Sequence, residues 1–190
     1  MKKLIDTLSR LWFPLLMLLF LLILSFQVVF GQTNEINEAK RLSDVDQNKK
    51  AIERLNTALK TYPSEAQLWY YLGAIQLKAG DRDQAKQSFD KGIALNEKEP
   101  INYAGRGYIS MLENNAQKAA LDFNKALSLS KSKNIEVLKA VATGYLKDPQ
   151  LAGKVIALLE KVKPAGDHDM ETLVLLGDAY LAQNNGGKAV

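Results

Sequence analysis

The chain has 190 residues, 47% of them apolar, and no cysteine. That length suits one domain plus an appendage; the apolar fraction argues against a disordered chain, and the missing cysteines exclude a disulfide framework or a lipid-modified cysteine anchor. The formal net charge is +4, but residues 1–31 hold three basic groups and one acid, so the remainder is nearly balanced and lacks the electrostatic footprint of a nucleic-acid-binding protein.

The first predicted element is an apolar helix, "LWFPLLMLLFLLILSFQVVF", Leu11 to Phe30, without a single charge. Twenty helical residues span about 30 Å, the thickness of a bilayer's hydrocarbon core. Lys2, Lys3 and Arg10 precede it and Glu35 and Glu38 follow it. Positive charge stays on the cytoplasmic side, so the chain after Gly31 is expected outside the cytoplasm. Two readings share this topology. Residues 1–31 are a permanent signal-anchor, or they are an export signal cut after Gly31, with an apolar middle (Leu15–Leu24) and a more polar end (Ser25, Gln27). The leader is bacterial in style, which implies a periplasmic protein or one held in the cytoplasmic membrane.

From Gln32 on, apolar residues recur at helical spacing and no strand-like alternation persists. The segment "WYYLGAIQLKAGDRDQAKQSFDKGIAL" (Trp69–Leu95) repeats as "YAGRGYISMLENNAQKAALDFNKALSL" (Tyr103–Leu129). Gly73 matches Gly107, Ala85 matches Ala119 and Phe89 matches Phe123, all 34 residues apart. The same step backwards brings Ala39, Ala51 and Leu55 into register, and "LVLLGDAYLAQNNGGKA" carries the pattern forward with Gly177 and Ala189. Small residues at matched places let two helices cross closely, and the aromatics Trp69, Tyr103, Phe89 and Phe123 are expected to fill the space between successive helix pairs. Glycine costs a helix interior about 1 kcal/mol against alanine, so its recurrence points to packing. "AGDRDQ", "ENNAQ" and "AQNNGG" read as turns, with Gly80, Asn114 and Asn184 suited to left-handed backbone.

This period and these residues resemble the tetratricopeptide repeat, a helix–turn–helix unit of about 34 residues. The resemblance implies an all-α solenoid of antiparallel helix pairs, in units of about 32–65, 66–99, 100–134, 135–169 and an incomplete 170–190. The fourth unit departs from the pattern: Ala142 stands where glycine is usual, "LKDPQLAG" shortens the inner turn and "KPAGDHD" lengthens the outgoing loop. The fifth lacks most of its second helix, so the reading frame is expected to continue past Val190 with an aromatic or leucine four residues after Ala189.

Several stretches mimic chemistry without its context. "DVDQN" (Asp44–Asn48) opens like a calcium loop but continues with Lys49 and reaches Leu55 where glutamate is needed; a turn with a helix cap is expected. "GRGYIS" (Gly105–Ser110) lies inside a predicted helix, where a dinucleotide fingerprint does not work. His168 is the only histidine and makes neither a triad nor a metal cluster. No catalytic, cofactor or metal-binding residue is therefore assigned. Arg106 stands among apolar counterparts (Leu72, Val141, Leu176); a similar variant within the family implies that it pairs with Asp122 on the adjoining helix.

By the same resemblance, first helices line a concave groove. Its expected stripe runs Gln67, Tyr70, Ala74, Lys78; then Ile101, Ala104, Tyr108, Met111; then Glu136, Lys139, Thr143, Lys147. Of these, Gln67, Tyr70, Lys78, Ile101, Tyr108, Met111, Lys139 and Lys147 are the candidate partner-binding residues, since aromatic and Met side chains are enriched at interfaces. The Lys, Arg and Asn clamp by which some family members hold a terminal carboxylate is missing from the corresponding places. The expectation is a noncatalytic protein–protein interaction scaffold in a cell-envelope assembly, or else the amino-terminal part of a larger enzyme or sensor.

Overall fold

The computed structural model describes the backbone of residues 2–160 and 170–186, with side chains for 14–22, 31–160 and 170–183. Every regular element among them is helical: α1 (Lys2–Asp44), α2 (Asn48–Thr61), α3 (Ala66–Lys78), α4 (Arg82–Leu95), α5 (Pro100–Leu112), α6 (Ala116–Leu129), α7 (Ile135–Tyr145), a 3-10 turn (Pro149–Leu151), α8 (Ala152–Glu160) and α9 (Met170–Gly186). Each helix packs on its neighbours in chain order, and α1, α3, α5, α7 and α9 also contact the next member of their own series. This is a solenoid, in which stacking buries faces that no single hairpin covers.

The local chemistry repeats with the sequence. Asp46, Gly80 and Asn114, each 34 residues from the next, all take left-handed backbone, with φ of 58°, 90° and 58°. In each turn the following N–H donates to a carbonyl of the finished helix: Gln47 to Leu42 at 2.9 Å, Asp81 to Gln76 at 2.8 Å and Asn115 to Ser110 at 2.8 Å. These bonds satisfy carbonyls that a helix end leaves without intrahelical donors. The next helix then starts on an N-cap: Asp81 accepts from the Gln84 N–H and Asn115 from the Lys118 N–H. The "DVDQN" stretch forms the same turn, but Gln47 provides no side-chain cap, so the expected cap is absent there. The expected turn at "AQNNGG" is also corrected: α9 continues through Asn184 to Gly186.

The core is built on a rule of small residues facing aromatics. A Cβ on Gly73 would lie 2.6 Å from the Phe89 ring, and one on Gly107 would lie 2.5 Å from the Phe123 ring. Gly105 also abuts Phe89 and Gly144 abuts Phe123, so each ring fills the space between two successive first helices. Ala51, Ala85 and Ala119 are fully buried. In the fourth pair the small residue that meets the ring is Gly144, two places beyond Ala142. Gly177 meets nothing among the described residues; the second-helix segment expected to cover it, near Gly187, lies outside them. Trp69 differs from expectation as well. It is half-buried at the edge of the first cluster, with the Lys91 ammonium 4.8 Å from its ring centroid, and Leu68 takes the fully buried place.

Polar ties cross the repeats. Arg106 on α5 forks onto the Asp122 carboxylate of α6 at 2.9 and 2.8 Å and reaches Asp90 of α4 at 3.1 Å. These partners raise its guanidinium pKa further, against partial desolvation. The fully buried Asn102 donates its amide to the Ala66 carbonyl at 2.9 Å.

α1 is continuous from the apolar run into the first repeat, with Pro14 inside it. The side chains of Leu15 to Leu22 are each more than half exposed. Among the described residues no helix is long and apolar enough to cross a membrane; within Leu11–Phe30, side chains are described only for residues 14–22. His168 lies outside the described residues.

Candidate functional site

The first helices place one face along a shared groove, and its centre holds a hollow of about 540 Å³, within the range of small-ligand sites. Its floor is low because the sequence supplies small residues there: Ala74 on α3, Ala104 and Gly105 on α5 and Ala140 on α7. Gly105 is obligatory, since any Cβ would run into Phe89. Tyr70, Tyr71 and Tyr108 frame the hollow. Tyr70 stacks edge-on against Tyr71, with centroids 5.1 Å apart, and tilts onto Phe89 at 5.8 Å.

The electrostatics follow from enclosure. Burial, with carboxylates nearby, pushes the Tyr70 phenol well above its ordinary 10.0 and the Tyr71 phenol up to about 12, so both are neutral donors at physiological pH. Glu136 and Glu171 are the carboxylates facing them. Both also hold Lys139, whose ammonium is 2.7 Å from Glu171 and 3.6 Å from Glu136. At the opposite wall, Lys40 of α1 lies 5.7 Å over the Tyr71 ring, and the Lys78 ammonium donates to the Ser43 carbonyl.

Of the residues expected from sequence, Tyr70, Lys78, Tyr108 and Lys139 line the hollow. Lys147 stands outside it, 5.3 Å over the Tyr108 ring. Gln67 is exposed at the start of α3 and bonds to Glu99. Ile101 is buried in the core and Met111 packs against it, so neither offers a free surface, and Leu112 takes the lining place instead. Sequence reasoning did not name Lys40, Asp44, Tyr71 or Glu171. Lys40 is 34 residues before Ala74 and Glu171 is 35 residues after Glu136, so extending the stripe to the first and last first helices finds them. Among the described residues there is no cluster of three or more His, Cys, Asp or Glu side chains that could hold a metal.

Residues 36–100 match the sequence profile of the Tetratricopeptide repeat family. The chain carries tetratricopeptide repeats. Over 95 residues it is 32% identical to the human mitochondrial import receptor subunit TOM70, covering 50% of this chain and 16% of that protein, so the match spans about a sixth of the relative's length. A tetratricopeptide repeat protein from Parabacteroides merdae has the same fold, with a TM-score of 0.60 at 24% identity over 80% of this chain and 59% of that one. The structure of Naa15/Naa10 bound to HypK-THB matches with a TM-score of 0.54 at 17% identity over 83% of this chain and 24% of that chain. Tetratricopeptide repeats mediate protein–protein interaction, and the chain's fold is of that kind.

Proposed function

We propose that the protein is a noncatalytic scaffold that binds a segment of a partner protein in the groove of its first helices, as part of a cell-envelope assembly. The observation that carries this is the hollow itself. Large residues fill the core behind α3 and α5, whereas Ala74, Ala104 and Gly105 keep their groove face low between three tyrosines. Tyrosine supplies large contact area at low entropic cost and marks interfaces. The likeness of half the chain to a receptor subunit is in keeping with a protein-binding role.

The repeats stand outside the cytoplasm, held by the apolar run Leu11–Phe30. Continuity of α1 supports an anchor over a cleaved signal. Gly31, the small residue that a cleavage site needs, packs directly against the Tyr62 hydroxyl in the middle of α1, and Glu35 is forked by Arg54 of α2 four residues later. A structural demand therefore accounts for Gly31. Amino-terminal sequencing of the membrane fraction tests this part: an intact start supports the anchor and a start at Gln32 refutes it.

The binding role is tested in producing cells with a photo-crosslinking amino acid at Tyr108, in the groove, and at Leu121, which is 68% exposed on a second helix. A partner trapped from position 108 and not from 121 supports the groove. Trapping from 121 alone overturns it.

A further inference from the structure

The hollow is charge-polarised across its width. On the α1–α3 wall stand Lys40, Lys78 and one acid, Asp44. Among the described residues neither lysine is in an ion pair. Lys40 rests on the Tyr71 ring and Lys78 bonds a carbonyl, so both ammonium groups keep their full charge. On the α7–α9 wall two carboxylates, Glu136 and Glu171, share one ammonium, Lys139. Lys139 is buried while the Glu171 and Glu136 side chains remain 60% and 42% exposed. That wall therefore offers solvent an excess of one negative charge, and the facing wall an excess of one positive charge. Between them lie the tyrosine rings and the alanine–glycine floor. Lys147 sits over Tyr108 beyond the hollow and does not enter this balance.

We infer that the groove takes an extended peptide segment carrying an apolar or aromatic side chain between an acidic and a basic residue. The apolar side chain drops onto the Ala74–Ala104–Gly105 floor. The acidic residue lies against Lys40 and Lys78, and the basic one against Glu136 and Glu171. Complementary charges suppress wrong partners and fix register more than they add affinity, so the polarity also sets one chain direction. A segment acidic at both ends meets two carboxylates at one wall, and a segment basic at both ends meets two ammonium groups at the other. This inference rests on the groove reading above and adds the chemistry of its occupant.

The test uses the full chain kept in solution by mild detergent, with end-capped nine-residue peptides bearing a fluorophore and a central phenylalanine. Flanks are acid then base, base then acid, acid at both ends, base at both ends, or serine at both ends. Binding is read by fluorescence anisotropy. One of the two mixed peptides is expected to bind about threefold to tenfold tighter than either like-charged peptide, the size set by two exposed charge pairs. Lys78→Glu should then shift the preference to the doubly basic peptide. Lys40→Glu, whose ammonium only overlies a ring, gives the same readout should Lys78→Glu lower the melting temperature. Equal binding of all peptides, still weakened by Tyr108→Ala, overturns the charge inference and leaves the groove reading standing. Binding of none, or binding indifferent to Tyr108→Ala, overturns both.

Discussion

Gly107 and Gly177 occupy the same place in the repeat pattern, yet alanine should act oppositely at the two. At Gly107 the added Cβ lies 2.5 and 2.6 Å from two atoms of the Phe123 ring, so ring or backbone must move by about 1 Å to reach ordinary contact. Phe123 has nowhere to go: it is fully buried, abuts Gly144 and meets the Tyr145 ring edge-on at 5.0 Å. Overpacking of this kind costs about 1–3 kcal/mol, offset by about 1 kcal/mol from the better helix propensity of alanine. Gly107→Ala should therefore be destabilising by up to about 2 kcal/mol. At Gly177 nothing lies within 4 Å of the new Cβ, so Gly177→Ala should stabilise by about 1 kcal/mol. Urea unfolding of the two variants, with the slope checked for constancy, reads the difference. In a Phe123→Leu background, where the ring is gone, Gly107→Ala should cost less than in the parent. Equal stabilisation by both alanines would refute the rule that these glycines seat an aromatic ring.

Arg106→Met should cost about 2 kcal/mol, below the loss from a fully buried pair because a quarter of Arg106 is exposed; adding Asp122→Asn should recover much of it in the same urea assay. Trp69→Ala, at a half-buried ring, should fall short of the about 3–5 kcal/mol of a full core cavity, while Tyr108→Ala should leave the melting temperature nearly unchanged and weaken partner binding by more than about 1 kcal/mol. The Tyr71 phenol is pushed up to about 12 by burial, so its contribution to stability is full below the ordinary 10.0 and is lost as pH rises through the folded value. Tyr71→Phe should flatten the alkaline loss of stability across that window. Burial also raises the Glu99 carboxyl, so its ionisation opposes folding; Glu99→Gln should raise the urea midpoint at neutral pH, with the gain vanishing below the ordinary 4.5.

The repeat architecture was legible because it is written in residues that tolerate no substitute. Gly73, Gly107, Phe89 and Phe123 must recur together, since a ring and a missing Cβ share one space. The Arg106–Asp122 fork was legible for a similar reason, as a cation among apolar counterparts needs a partner on the next helix. Register in the fourth pair was less so: the 3-10 turn Pro149–Leu151 joins α7 to α8 differently, and Gly144 takes the ring contact. Trp69 misled because its size suggested the core, whereas its edge position lets Lys91 cover it. The groove stripe on α3 and α5 could be read from helical spacing, but its depth could not. Depth depends on which of Ile101, Met111 and Leu112 turns inward, and on walls supplied by α1 and α9 from opposite ends of the sequence.

The central claim, that partners dock on the first-helix face, is tested most directly by hydrogen exchange of the full chain with and without the partner trapped at Tyr108. The account predicts added protection in α3, α5 and α7, at the segments bearing Tyr70, Lys78, Tyr108 and Lys139, with α4 and α6 unchanged. Protection confined to α4 and α6 would contradict it.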